Sequence, residues 1–136
     1  MVFNPIGSVG IVSDSGNSLY VLDLSKELPS LICRVKVECK GPIRSIDADF
    51  KSGYLFASSQ DDGIISIYKS NDLSDVNEKL ELHASIKGFT NSRCIRYWKE
   101  RNELFVGYTK GYLTVYKLDL ESMKGKVIAN PTCTFR

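Results

Sequence analysis

The sequence predicts an all-β fold built from small antiparallel sheets. Helical periodicity of apolar residues is hard to find along its 136 residues, whereas short apolar, β-branched and aromatic runs recur between Gly, Asn, Asp and Ser. The chain also aligns with itself at a nearly constant spacing, which is the signature of a repeat architecture. With 43% hydrophobic and 25% charged residues, its composition is that of an ordinary globular domain.

The predicted strands follow one another along almost the whole chain, and each is rich in the β-branched and aromatic residues that strands favour. They cover residues 10–13, 18–24, 31–39, 43–49, 54–59, 64–69, 79–86, 93–98, 103–108, 112–118 and 126–129. Residues 70–77 are the clearest predicted loop, because Ser, Asn and Asp bind their own backbone in turns. Gly63 supplies the positive φ that the hairpin before residue 64 needs.

Two parts of the chain match closely. Residues 44–56 align with 93–105 at an offset of 49 (93 − 44), and residues 63–69 align with 111–117 at an offset of 48 (111 − 63). Residues 9–23 form a partial third copy, which has the same strand, turn and strand but is predicted to lack the strand before them. One repeat is therefore a small antiparallel sheet of four strands.

Apolar residues lie on both faces of such a sheet. Ile64, Ile65 and Ile67 follow one another in a single strand, and successive strand residues point to opposite sides. Each sheet therefore needs a cover on both faces. Neighbouring sheets that pack face to face around a ring would provide that cover.

Residues 41–69 resemble one WD repeat of a β-propeller, including its Ser-x-Asp-x-Gly-type turn and the closing aromatic residue, Tyr68. Residues 93–117 match the pattern less closely, since Lys110 stands in a turn without acidic residues. The resemblance implies a partial β-propeller of about three four-stranded antiparallel blades. The single domain 1–136 would then consist of a partial blade at 1–40 and repeats at 41–88 and 89–136.

The chain departs from the family pattern at its two marker dipeptides. Tyr68-Lys69 and Tyr116-Lys117 replace Trp-Asp, and Gly-His is absent. Because these residues form a buried hydrogen-bond network in the family, the blades of this chain are predicted to be held by packing instead.

Closed propellers have roughly four to eight blades. We therefore expect a fragment of a longer propeller, whose open sheet faces favour self-association.

No catalytic, cofactor or metal site is predicted. The cysteines, Cys33, Cys39, Cys94 and Cys133, lie 6, 55 and 39 residues apart without a Cys-x-x-Cys pair, and His83 is the only histidine. A lone histidine favours neither a Ser-His-Asp nor a Cys-His arrangement. We therefore expect a protein that is not an enzyme and uses no cofactor.

The favoured function is a non-catalytic scaffold for protein–protein interaction. WD-like blades often bind proteins at one rim of the ring, which is formed by the loops before the innermost strands and by the hairpins between the second and third strands. Carried onto this chain, the resemblance implies partner contacts at Arg44, Asp62, Phe89, Arg93 and Lys110. Arginine and exposed aromatic side chains are also enriched in binding hot spots.

An anionic ligand is the alternative partner. Residues 87–126 hold nine basic and four acidic side chains, a net charge of +5, whereas residues 43–86 hold four and eight, a net charge of −4. This basic third blade would suit a phosphoinositide membrane or a nucleic acid, although the whole chain has a formal charge of only +2.

Since neither a secretory signal nor a membrane-spanning apolar run is recognisable, an intracellular and cytoplasmic protein is expected.

Overall fold

A computed structural model of the protein describes residues 1–75 and 78–136, which form an almost entirely β structure. In chain order the strands are β1 Val2–Phe3, β2 Val9–Ser13, β3 Ser18–Asp23, β4 Ser30–Lys36, β5 Ile43–Asp49, β6 Tyr54–Ser59, β7 Ile64–Lys69, β8 Glu81–Lys87, β9 Ser92–Trp98, β10 Glu103–Tyr108, β11 Leu113–Lys117, β12 Val127–Ile128 and β13 Cys133–Phe135. The only helical element in these ranges is a short 3-10 helix, Lys99–Arg101. The predicted all-β class is confirmed.

The strands form three sheets. The first has the order β1-β2-β3-β4, the second β12-β8-β7-β6-β5, and the third β13-β11-β10-β9. Neighbouring strands are antiparallel except β12, which runs parallel to β8 at the outer edge of the second sheet.

The predicted loop at 70–77 is irregular from residue 70 to 75, and its last two residues lie outside the described residues. No helix in the described ranges is long and apolar enough to cross a membrane.

The two ends of the chain differ from the sequence-based expectation. The first repeat does have a strand before it, because Val2 and Phe3 pair with β2, so the predicted absence of this strand is wrong. The predicted strand 126–129 leaves its own repeat and joins the second sheet as β12, and β13 takes the outer position in the third sheet. Strands of two or three residues are too short for alternation to be read in a sequence.

The core lies in two layers, one on each face of the second sheet. Leu55 contributes to the layer shared with the first sheet, and its neighbour Phe56 contributes to the layer shared with the third sheet. Both side chains are fully buried, and every residue of β6 is at least largely buried. Burying a side chain of this size stabilises the fold by roughly 1.5–3 kcal/mol, so the middle sheet holds the other two together.

Alternate side chains of β5 bind the backbone of β9 between the second and third sheets. Ser45 Oγ accepts a hydrogen bond from the N–H of Ile95 (3.2 Å), and Asp47 Oδ2 accepts one from the N–H of Tyr97 (2.8 Å). Asp47 also lies 3.6 Å from the guanidinium of Arg96. The innermost strands of the two sheets are therefore joined by polar side chains as well as by packing.

Equivalent positions of the two sequence repeats form equivalent turns in the structure. Gly53 and Asn102, which are 49 positions apart, both adopt positive φ, of 81° and 52°. Each then accepts a backbone hydrogen bond from the end of the third strand of its repeat, Gly53 O from Ser70 (2.9 Å) and Asn102 O from Leu118 (2.8 Å). The alignment at offsets of 49 and 48 thus corresponds to equivalent local geometry.

The first and third sheets each have one face that the described residues leave open. On the third sheet, Phe105 lies on this face, with Trp98 at a ring distance of 6.3 Å and Phe135 further out beside Leu113. Trp98 is 46% exposed and Phe135 is 55% exposed. On the first sheet, the open face includes Phe3, which pairs with Gly10 and is also more than half exposed.

Candidate functional site

Five loops meet at one end of the three sheets. We call this surface the rim and define it as residues 14–17, 37–42, 60–63, 88–91 and 109–112, together with the first two residues of β5 and of β9. Backbone hydrogen bonds connect its loops across the sheets. Gln60 N donates to Pro42 O (3.0 Å), and Gln60 O accepts from Asn91 N (2.8 Å). Asn91 O in turn accepts from Thr109 N (3.1 Å), so the loops form one continuous surface.

Arg44 and Arg93 occupy equivalent places at this surface. In each case the strand pairing shifts by one residue. The pairing passes from Ile43 to Ser45 without Arg44 in β5, and from Ser92 to Cys94 without Arg93 in β9. Each arginine therefore stands in a β-bulge, which bends a strand and redirects a side chain. Both arginines are exposed.

Asp62 is built into the hairpin that joins β6 and β7. Its Oδ2 accepts a hydrogen bond from the N–H of Lys40 (2.7 Å), and its Oδ1 accepts one from the N–H of Ile64 (3.1 Å). Ser59 Oγ donates to the carbonyl of the same Lys40 (2.7 Å). Partial burial alone would raise the pKa of Asp62, but hydrogen bonds from the N–H groups of Lys40 and Ile64, together with the positive charge of Lys87, hold the pKa below its ordinary value.

This network corrects the expectation that packing takes the place of the hydrogen-bond network that WD repeats have. In the second sheet, Ser59 and Asp62 bind the preceding loop, with main-chain atoms of Lys40 as their partners. The sequence comparison missed this because it considered side chains alone.

Phe89 and Lys110 come together at a pocket of about 270 Å³, which we call the rim pocket. The Phe89 ring, 52% exposed, lies edge to face with the ring of Tyr108 (5.7 Å between centroids) and 6.5 Å from that of Tyr112. The guanidinium of Arg136 lies 5.1 Å above the Tyr112 ring. Among the described residues that line the pocket, none is acidic.

Sequence reasoning did not identify Tyr108, Tyr112 or Arg136 as site residues. The two tyrosines flank the second hairpin, so a search for aromatic residues around the Lys110 turn would have found them. Arg136 directly follows β13, a strand that was not predicted, and its position therefore had no sequence signal.

The basic side chains of the rim differ from those lower on the third sheet. In the described ranges, Arg96, Lys99 and Arg101 each form an ion pair with a carboxylate. Arg44, Arg93 and Lys110 of the rim form none there, and the same holds for Lys87 and Arg136 beside it. The rim holds four basic and four acidic side chains in all, so its positive charge is concentrated beside the third sheet, at Arg93, Lys110 and the neighbouring Arg136.

A larger groove of about 1230 Å³ opens at the opposite end of the second and third sheets. The described residues that line it include five lysines and five Asp or Glu, so these side chains give it no formal net charge. His83 lies there, half-buried, with its ring edge to face with Tyr54 (5.3 Å). In the described part of the chain, no three His, Cys, Asp or Glu side chains are grouped so as to hold a metal ion.

Solved structures similar to this chain are propeller-like. A protein of Bacteroides fragilis named a putative 6-phosphogluconolactonase matches 98% of the chain, with a TM-score of 0.75 and 15% identity. Sqt1 of Saccharomyces cerevisiae matches 98%, with a TM-score of 0.71 and 9% identity. Sqt1 of Chaetomium thermophilum, bound to the N-terminus of the ribosomal protein L10, matches 99%, with a TM-score of 0.71 and 14% identity.

These likenesses show a propeller-like fold. The chain spans 40% of the length of the Bacteroides fragilis protein, and 34% and 33% of the two Sqt1 proteins. No model of a known protein family matches the chain, and no curated protein matches it either.

Proposed function

We propose that this chain is a non-catalytic, protein-binding part of a WD-like propeller and that the rim is its docking surface. The observation that carries the proposal is the pair of equivalent bulges, which expose Arg44 and Arg93 at the same end of neighbouring sheets. Arg93 and the exposed Phe89 ring belong to the same rim as Lys110. Arginine and aromatic side chains are the residue types that most often dominate binding energy.

The comparison with Sqt1 supports the same proposal. The Chaetomium thermophilum protein binds a segment of another protein, the N-terminus of L10, and its fold is similar to that of this chain. The likeness to a named lactonase does not favour catalysis here, because fold does not determine function. The proposed partners are therefore other proteins.

Photo-crosslinking tests the proposal. A crosslinking amino acid replaces Lys110 at the rim and, as the matched control, the exposed Lys124 in the groove at the opposite end. We expect a protein that crosslinks from position 110 and not from position 124. Mass spectrometry identifies this protein, which is then purified for binding measurements.

Titration calorimetry with the purified partner provides the decisive measurement. Arg44→Ala and Arg93→Ala should each raise its Kd about five- to tenfold, since truncation of a hot-spot residue costs more than 1 kcal/mol. The melting temperature should stay within about 2 °C, because exposed side chains contribute little to stability. Lys124→Ala should leave Kd unchanged. Unchanged binding by both arginine variants would remove the rim from consideration.

An anionic membrane or a nucleic acid remains the second candidate, favoured by the rim cations that form no ion pair in the described ranges. The ion pairs of Arg96, Lys99 and Arg101 weaken it, because they offset much of the charge on which this candidate depends. Binding to phosphoinositide vesicles or to a polynucleotide should fall steeply between low and high salt if this candidate is correct. Absence of binding at low salt would exclude it.

A further inference from the structure

We propose that the rim pocket binds one large apolar side chain that an acidic segment of the partner presents. This inference rests on the proposed function and adds the chemistry of the partner. The pocket volume of about 270 Å³ lies just below the range of sites that enclose a whole drug-sized ligand. A single aromatic or branched aliphatic side chain matches it better.

The walls of the rim pocket are aromatic and held in place. Tyr108 is 7% exposed, and its hydroxyl forms a 3.2 Å hydrogen bond with Thr114 Oγ1. A Cβ added at Gly88 would lie 3.1 Å from the same hydroxyl, so the loop that bears Phe89 packs directly on Tyr108. A preformed apolar wall gains binding energy from an inserted side chain with little loss of conformational entropy.

The positive charge around the pocket indicates which residues of the partner flank the inserted side chain. Lys110 and Arg136 line the pocket, and none of the described lining residues is acidic. The guanidinium of Arg136 is positioned by the Tyr112 ring, at a distance typical of cation–π contacts. Carboxylates on both sides of the inserted side chain would complement these two cations.

The shape of the pocket favours a protein segment over the other anionic partners. Its rings are inclined to one another, by 64° between Phe89 and Tyr108 and by 51° between Phe89 and Tyr112. Inclined rings form a concave wall, whereas stacking of successive nucleic-acid bases needs flat, accessible platforms. Attraction to a lipid surface, in turn, depends on clusters of basic residues and gives no role to an aromatic cavity between the cations.

Fluorescence anisotropy with a defined probe tests the inference. The probe is a fluorescein-labelled peptide of glutamates with one central phenylalanine. One control peptide has serine in place of the phenylalanine, and the other has lysines in place of the glutamates. We expect the wild-type chain to bind the probe at least about tenfold more tightly than either control peptide.

Variants of the chain locate the binding. Lys110→Glu changes only an exposed side chain and should weaken probe binding about tenfold, whereas the matched charge reversal Lys124→Glu at the opposite end should change it less than about twofold. Tyr112→Ala should weaken binding by a similar factor. If Tyr112→Ala fails to fold, Lys110→Glu still decides the question.

Three results with the peptides would overturn the inference. They are no saturable binding of the probe, equal binding of either control peptide, or no effect of Lys110→Glu. Tighter binding of a single-stranded polynucleotide that displaces the probe would also overturn it and would favour a nucleic-acid site. If the purified partner depends on Arg44 and Arg93 but not on Lys110 or Tyr112, the proposed function stands and this inference fails.

Discussion

Asp47 joins the second and third sheets through one carboxylate. Its side chain is 13% exposed, accepts the hydrogen bond from the N–H of Tyr97 and faces Arg96, whose side chain is 80% exposed. The two contacts differ in how much they contribute to the free energy of unfolding. An exposed ion pair contributes little, because water and salt screen it, whereas a partly buried N–H that loses its acceptor bears a desolvation cost.

Asp47→Ala should therefore lower the free energy of unfolding by about 1–3 kcal/mol. Arg96→Ala, which removes only the ion pair, should lower it by less than about 1 kcal/mol. Urea denaturation followed by circular dichroism measures both values. Equal losses in the two variants would mean that the ion pair, and not the backbone hydrogen bond, stabilises the contact between the sheets.

Asp62 predicts a pH dependence of stability. Since the folded-state pKa of Asp62 is below its ordinary value, its ionised form stabilises the fold above about pH 4, and this contribution disappears as the pH falls through the folded pKa. Asp62→Ala should thus be less stable than the wild type by about 1–2 kcal/mol at pH 7. The difference should shrink in acid.

Denaturation series at several pH values check this expectation. The neighbouring Asp61, which is exposed, provides the matched control, and Asp61→Ala should differ little from the wild type at every pH. A gap between wild type and Asp62→Ala that stays constant down to pH 3 would contradict the assignment of the effect to the Asp62 carboxylate.

At the level of elements, each of the two central hairpins has a glycine with positive φ, but the surroundings of the two glycines differ. Gly63 and Gly111 stand at equivalent positions with φ of 69° and 81°. A Cβ at Gly63 would lie 2.6 Å from the carbonyl oxygen of Phe89, whereas a Cβ at Gly111 would have no atom of the described residues within 4 Å. The first hairpin thus packs closely on the next loop of the rim at Gly63, whereas the position of Gly111 in the second hairpin is open among the described residues.

This pair separates conformational strain from steric contact. Gly111→Ala should cost only the strain of positive φ, about 1–2 kcal/mol. Gly63→Ala should cost the same strain and, in addition, about 1–3 kcal/mol for displacing the loop at Phe89. Thermal unfolding of both variants measures the difference. Similar losses in the two variants would show that the loop yields without cost.

At the scale of the whole molecule, only the middle sheet is covered on both faces by the described residues. The open faces of the first and third sheets present Phe3 on one side and Trp98, Phe105 and Phe135 on the other. Contiguous apolar faces of this kind favour association. A second copy of the chain offers each open face an apolar sheet of the kind it lacks.

Light scattering at increasing concentration should therefore report a rising average mass for the wild type. The double variant Trp98→Glu with Phe135→Glu should remain closer to the mass of one chain, because two carboxylates on the open face oppose its burial. Leu28→Glu, at an apolar residue that is 80% exposed in a loop, provides the control and should associate like the wild type. A constant monomer mass for the wild type would contradict this prediction.

Sequence patterns were sufficient where strands are long and repeated. The strands at 43–49, 54–59 and 64–69 are rich in apolar and β-branched residues and recur one repeat later, and the structure has them at the same bounds. The bulges at Arg44 and Arg93 left no trace in the sequence pattern, because they depend on how two strands pair. The rim residues could thus be named from a resemblance, but the pocket around Phe89 depends on contacts between distant segments.

The hydrogen bonds from Ser59 and to Asp62 hold Lys40 by its main-chain carbonyl oxygen and N–H alone. Every amino acid except proline presents both of these groups, so the contact places almost no demand on the identity of residue 40. The exposed side chain there is free to change during evolution, together with the charge it gives the surface, while Asp62 and Ser59 keep the loop in place. A propeller that anchors a loop in this way can acquire new binding preferences without loss of its architecture.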